Sequence, residues 1–168
     1  MHQVPVSEAT KRKYPEWIVL VVSRDEKGKP DVMPAGWCMI CSGTPPMMAV
    51  AVGKTRYTHR CIEQTGEFVL AWAGEGQGEL VAYTGSHSGA DVDKFEAMNI
   101  ATSPPAATNV PLIEGCVAHL ECKLHQQVET GDHSIFVGEV VAAHVPDEPI
   151  RKLDNFSGNF AVAEPVKN

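Results

Sequence analysis

The chain has 168 residues, 43% of them hydrophobic and 21% charged, with a formal net charge of -7. That size and mix fit one globular domain and exclude a disordered, collagen-like or low-complexity protein. The acidic balance disfavours a phosphate backbone as a bulk partner, so no nucleic acid is expected, while a local basic pocket for one small anion stays open.

In chain order, residues 1–14 form a polar N-terminal arm without the apolar stretch of a secretory signal. Trp17 to Ser23 is rich in β-branched residues and predicts a buried strand. Its apolar run is too short to span a bilayer, so the expected setting is cytoplasmic, with no membrane partner. Asp25 to Asp31 predicts a hairpin turn, and Val32 to Ser42 the return strand. Thr44-Pro45-Pro46 breaks that strand, because neither proline can donate to a sheet ladder. Met47 to Val52 predicts a further strand. A helix over His59 to Thr65 follows, with Thr58 as N-cap and Gly66 as its end. Phe68 to Ala73 reads as a strand, Glu79 to Tyr83 as a short helix opening into a loop, and Asp91 to Met98 as a second short helix capped by Asp91. Thr102 to Pro111 reads as irregular. Cys116 to Val128 alternates apolar and polar residues, which predicts a long strand with one buried face. Gly131-Asp132 turns the chain into an antiparallel partner over Ser134 to Val145, and residues from about 147 to 168 form a tail. The pattern predicts a mainly β fold, an antiparallel barrel with a few short helices.

The five cysteines do not suggest a disulfide framework in a chain of this size. Cys38 and Cys41 form a CxxC on a predicted strand, where residues three apart face opposite ways, and no second ligand pair accompanies them. Small apolar wall residues describe them better than a zinc or redox pair, and no metal is expected.

Three segments carry candidate chemistry. Ala35 and Gly36 lack bulk, so a flat ligand could press on the backbone there, although a β-bulge needing glycine explains them more simply. Gly53 to His59 places Arg56 and Thr58 at a predicted helix start, which suits a phosphate; an ordinary capped helix with solvated charges accounts for them equally well. Ser86-His87-Ser88-Gly89 and Asp93-Lys94-Phe95 make a polar loop that is, by itself, most simply a flexible connection.

Their order is more informative. Ser42-Gly43-Thr44-Pro45-Pro46 resembles an S-x-x-P-P turn, Arg56 to Ile62 an R-x-T-x-x-N-I motif with Cys61 in the Asn position, Thr65 to Val69 a (T/S)-G-E-F-V, and Gly131 to Val140 a G-D-H-T-I-F-V-G-E-V. Together, over roughly residues 15–145, they resemble the flavin reductase-like family, flavoredoxins included. The resemblance implies an FMN-binding split β-barrel and a homodimer with FMN at its interface. It implies a ring site along Ala35, Gly36, Trp37, Cys41 and Ser42, and a phosphate site at Lys54, Arg56 and Thr58. A closing loop would run through Ser86, Ser88, Gly89, Lys94 and Phe95, and His133 would lie near the site or the interface. Relatives often carry a Tyr near the C-terminus where Asn155 to Phe160 offers phenylalanines. His59, His119 and His125 read as structural.

The implied function is an oxidoreductase that passes electrons from NAD(P)H through FMN to free flavin, ferric iron or a redox partner protein. No acid–base residue is required for hydride transfer. No G-x-G-x-x-G joins a strand to a helix, so NAD(P)H would bind transiently. A non-catalytic FMN electron carrier and a metal-using redox enzyme built on Cys38, Cys41 and histidines are the competing classes. A pyridoxamine-phosphate oxidase-like enzyme lacks its substrate-binding basic residues here.

Overall fold

The computed structural model describes residues 1–164; the last four residues of the expected tail lie outside them. The N-terminal arm carries one short helix, α1 (Val6–Thr10), and leads into β1 (Glu16–Trp17). Then come β2 (Val19–Arg24), β3 (Pro30–Ala35), β4 (Cys38–Gly43) and β5 (Pro46–Gly53). Helix α2 (Tyr57–Thr65) precedes β6 (Glu67–Trp72), and α3 (Gly78–Ser86) and α4 (Lys94–Ala97) follow. The chain ends with β7 (Thr102–Ser103), β8 (Leu112–Ile113), β9 (Ala118–Glu129), β10 (His133–His144), β11 (Leu153–Phe156) and β12 (Asn159–Val162).

Seven strands form one antiparallel sheet in the order β3-β2-β6-β9-β10-β5-β4. The fold is mainly β with few helices, as the strand pattern indicates. The edges β3 and β4 are not paired with each other among the described residues. Prolines 30 and 34 sit on edge strand β3, where a missing donor costs least. Strand β2 is buried from Val19 to Ser23 because the sheet has a core on each face. Val19, Val21, Phe68, Leu70 and Phe136 belong to one; Leu20, Val22, Val69 and Ala71 belong to the other, beneath Val81, Val110 and Ile113. A two-sided core explains a continuous apolar run in place of alternation.

Several boundaries differ from the sequence expectations. The expected strand over 32–42 is two strands, broken at Gly36-Trp37, where the chain leaves one end of the sheet and re-enters at the other. Arg56, not Thr58, is the N-cap of α2, while Gly66 ends it in the left-handed conformation. Asp93, not Asp91, caps α4, accepting from the Glu96 N–H. Helix α3 runs on through Gly85 and Ser86, so Ser86 is helical. The irregular stretch opens with β7, which pairs with β8. The expected tail contains a hairpin, β11–β12, whose first strand pairs with β1.

Strand β9 departs most. His119 and Glu121, expected on a wet face, are buried. The Glu121 carboxylate accepts the backbone N–H groups of Ala106, Ala107 and Thr108 and the Thr108 hydroxyl. His144 Nε2 donates to it at 2.7 Å, and His119 Nε2 donates to the Ile113 carbonyl at 2.7 Å. The segment before β8 therefore lies over that face of the sheet.

Candidate functional site

Two adjoining clefts gather most of the candidate residues. The first, about 360 Å³, lies between the start of α2 and the end of α3. Arg56, Thr58, Ser86, Ser88, Gly89 and Lys94 all line it, so two sequence-distant segments converge there. The first N–H groups of a helix have no intrahelical partner and carry partial positive charge, and those of α2 open here. Arg56 is exposed and takes part in none of the ion pairs among the described residues.

The other polar groups are less free than their types suggest. The Thr58 hydroxyl is buried and donates to Asp31 Oδ2 at 2.5 Å. Lys94 is 3% exposed; its ammonium donates to the Val32 carbonyl at 2.7 Å and the Thr84 carbonyl at 3.3 Å. It also lies 3.1 Å from Asp31 Oδ1, an ion pair without a hydrogen bond, so the ammonium is held by two carbonyls and one carboxylate. Lys94 is thus part of the cleft wall, and it compensates the Asp31 carboxylate that would otherwise repel an anion. Ser86 donates its hydroxyl proton to Ala82 and Tyr83 carbonyls of its own helix. Ser88 Oγ accepts from the Ala90 N–H, which leaves its own proton available. Gly89 packs against Asp31 and Tyr57: a Cβ there would overlap Asp31 Oδ1 and stand 2.8 Å from Tyr57 Cδ1.

The second cleft, also about 360 Å³, shares Pro34, Gly85 and Ser86 with the first. Its walls are mainly apolar, with Trp17, Ala35, Gly36, Val81 and Phe160. A Cβ on Gly36 would overlap the Glu16 carboxylate, so in this arrangement the acid end of Glu16 packs directly on the bare backbone there. Asn155, Gly158 and Phe160 bring the C-terminal hairpin into this cleft. Asn155 to Phe160 stands out in the sequence only as a departure from the family pattern, and Glu16 does not stand out; a turn signal was present at Ser157-Gly158, where both residues have positive φ.

The remaining candidates lie elsewhere. Trp37 is exposed and its ring centroid is 4.9 Å from that of His133. A Cβ on Gly53 would stand 3.5 Å from Arg56 Cγ and 3.6 Å from His133 Nε2, so this pair flanks Arg56. Cys41 and Ser42 lie on edge strand β4, outside both clefts. Lys54 pairs with Glu129 at 2.7 Å and donates to the Thr130 carbonyl. Phe95 is half-buried and packs against the core cluster of Leu20, Val22 and Val81. All five cysteines are free thiols, and burial pushes Cys38 up to about 12. Among the described residues, no group of three or more His, Cys, Asp or Glu side chains is placed to hold a metal ion.

Comparison with known proteins decides the family. Residues 11–163 match the model of the flavin reductase like domain. The chain belongs to the flavin reductase-like family. An Archaeoglobus fulgidus protein is 41% identical over 128 residues, covering 76% of this chain and 71% of that protein. Among solved structures, an FMN-binding protein from Thermus thermophilus with bound 1-cyclohex-2-enone is 28% identical with a TM-score of 0.85, covering 100% of this chain and 97% of that one. An NADH:FAD oxidoreductase from Streptomyces globisporus is 27% identical with a TM-score of 0.84, covering 98% of both chains. The flavin reductase-like match extends beyond the motifs in both directions and includes the β11–β12 hairpin.

Proposed function

We propose that this flavin reductase-like chain binds FMN across the two clefts and passes electrons from NAD(P)H to an acceptor. One observation carries the reading. A polar cleft with an uncommitted guanidinium opens, through Pro34, Gly85 and Ser86, into an apolar slot. That is the shape and chemistry for an anionic tail joined to a flat apolar head. The residues fit the group: Arg56 and the first turn of α2 offer charge-assisted donors for its phosphate, and Ser88 offers a hydroxyl. Ala35 and Gly36 present backbone without bulk, and Phe160 closes the slot from the C-terminal hairpin. When bound, FMN supplies the redox chemistry, accepting hydride and releasing electrons. The protein's part is to anchor, orient and partly desolvate it.

Exposed Trp37, Met39 and Ile40 at and beside an edge strand support a homodimer. Five free thiols suit a reducing, cytoplasmic setting. No helix among the described residues is long and apolar enough to cross a membrane.

Titration of the purified protein with FMN and with riboflavin tests the anchor. FMN should bind at least about tenfold more tightly, and Arg56→Ala should erase that preference, the size expected for losing one charge-assisted contact. Anaerobic mixing of the FMN-loaded protein with NADH or NADPH should then bleach the flavin absorbance. Retained binding without bleaching would favour an electron carrier, and failure to bind FMN would overturn the reading.

A further inference from the structure

We infer that the Glu16 carboxylate tunes the redox potential of the flavin ring, holding it low, and that Lys13 on the N-terminal arm opposes it. The inference rests on reading the second cleft as the ring slot. Among the described residues that line that slot, Glu16 is the only charged one.

Three contacts place the acid there. Glu16 and Asn155 are cross-strand partners in the β1–β11 ladder, and the Asn155 amide donates to Glu16 Oε1 at 3.3 Å. Asn155 is itself held, because its Oδ1 accepts the Gly158 N–H at 2.8 Å within the β11–β12 turn. The C-terminal hairpin is thereby the support of the acid. Across the slot wall, the acid end of Glu16 lies against the backbone of Gly36, where the lack of a side chain leaves it room. Lys13, in a single 3-10 turn over Lys11–Lys13, pairs with Glu16 Oε2. The Glu16 side chain is 16% exposed and that of Lys13 36%, so the acid is the better shielded of the two and its counter-ion the more solvated.

Reduction adds negative charge to a flavin ring. A carboxylate in an apolar wall repels that charge, since little water or salt lies between to screen it. Reduced flavin is therefore held less tightly than oxidised flavin, which lowers the potential and makes the bound ring a stronger donor to its acceptor. Lys13 acts in the opposite sense, weakened by its contact with water. Neighbouring charges are compensated or lie elsewhere. Asp154, next to Asn155 on β11, pairs with Lys152 at 2.8 Å, and Asp31 is compensated by Lys94. Arg56 and Asp91 line the phosphate cleft and not the slot.

Spectroscopic redox titration of the FMN-loaded protein tests this, with the affinity for oxidised FMN measured alongside. Two unit charges about 12 Å apart near a protein surface still shift an equilibrium about tenfold. Glu16→Gln should therefore favour reduced over oxidised FMN about tenfold relative to wild type, which raises the two-electron midpoint by about 30 mV. Lys13→Gln should lower the midpoint by less than this, and added salt should shrink the shift. Affinity for oxidised FMN should change little in either variant. An unmoved midpoint in Glu16→Gln, shifts of the same sign in both variants, or a rise that comes only from weaker binding of oxidised FMN would overturn the inference while leaving the flavin site in place. A wild-type protein that binds no FMN would instead overturn the reading of the slot, and the role of Glu16 with it.

Discussion

Lys94 shows how the type of a residue and its role separate. Its position beside Ser86 to Gly89 suggests a phosphate ligand, yet its buried ammonium is held within the fold by two carbonyls and the Asp31 carboxylate. Its partners Val32 and Thr84 lie 62 and 10 residues away in sequence, so no local pattern could reveal them. Arg56 could be read more directly, because a helix start and an exposed guanidinium are both local features. The Asp31–Lys94 pair is buried, with side chains 1% and 3% exposed. Removing one member leaves an uncompensated buried charge, which costs about 3–5 kcal/mol. Lys94→Met should lose stability on that scale in chemical denaturation. The double variant Asp31→Asn, Lys94→Met should recover most of it, because neither charge remains. No recovery would mean that Lys94 acts through packing and its two carbonyl contacts, not through compensation of Asp31.

At the scale of elements, hairpins with local turn chemistry were readable, and features set by distant partners were not. Gly131-Asp132 and the alternation around it located β9 and β10 to within two residues. The same alternation implied one wet face, because Glu121 and His119 are polar. The segment that covers them comes from residues 106–113, and its backbone N–H groups find their acceptor in Glu121. The β11–β12 hairpin was missed because its strands are four residues long and carry little periodicity. Glu121 makes a pH prediction. Burial raises its pKa, but the N–H donors of Ala106 and Ala107, the Thr108 hydroxyl and His144 outweigh this and hold it at about 2. A carboxylate depressed in the folded state stabilises above its unfolded pKa, and the stabilisation fades as pH falls through the folded value. Stability should therefore drop between about pH 4.5 and pH 2, by on the order of 2–3 kcal/mol. Glu121→Gln should lower neutral-pH stability by a similar amount and flatten that acid limb, as acid titrations of thermal unfolding would show. An unchanged acid limb in the variant would assign it to other carboxylates.

Across the whole molecule, the sheet carries a core on both faces but leaves β4 as an open edge. Met39 and Ile40 on that strand are 56% and 71% exposed, and Trp37 just before it is 57% exposed. An apolar edge with unpaired backbone groups is a liability that proteins usually cover. A second copy of the chain is the cover proposed here, since Trp37 also reaches His133 beside Arg56 and so links the edge to the proposed phosphate anchor. Burying an aliphatic side chain of this size contributes about 2 kcal/mol. In a symmetric dimer each such residue counts twice. The protein should therefore sediment as a dimer at micromolar concentration, and Met39→Lys with Ile40→Lys should shift it to monomer while leaving the circular dichroism spectrum unchanged. Neither side chain packs within a buried cluster, so the substitutions should spare the fold. A wild-type monomer under those conditions would sink the dimer, and the slot beside Gly36 would then have to hold the flavin ring with one chain alone.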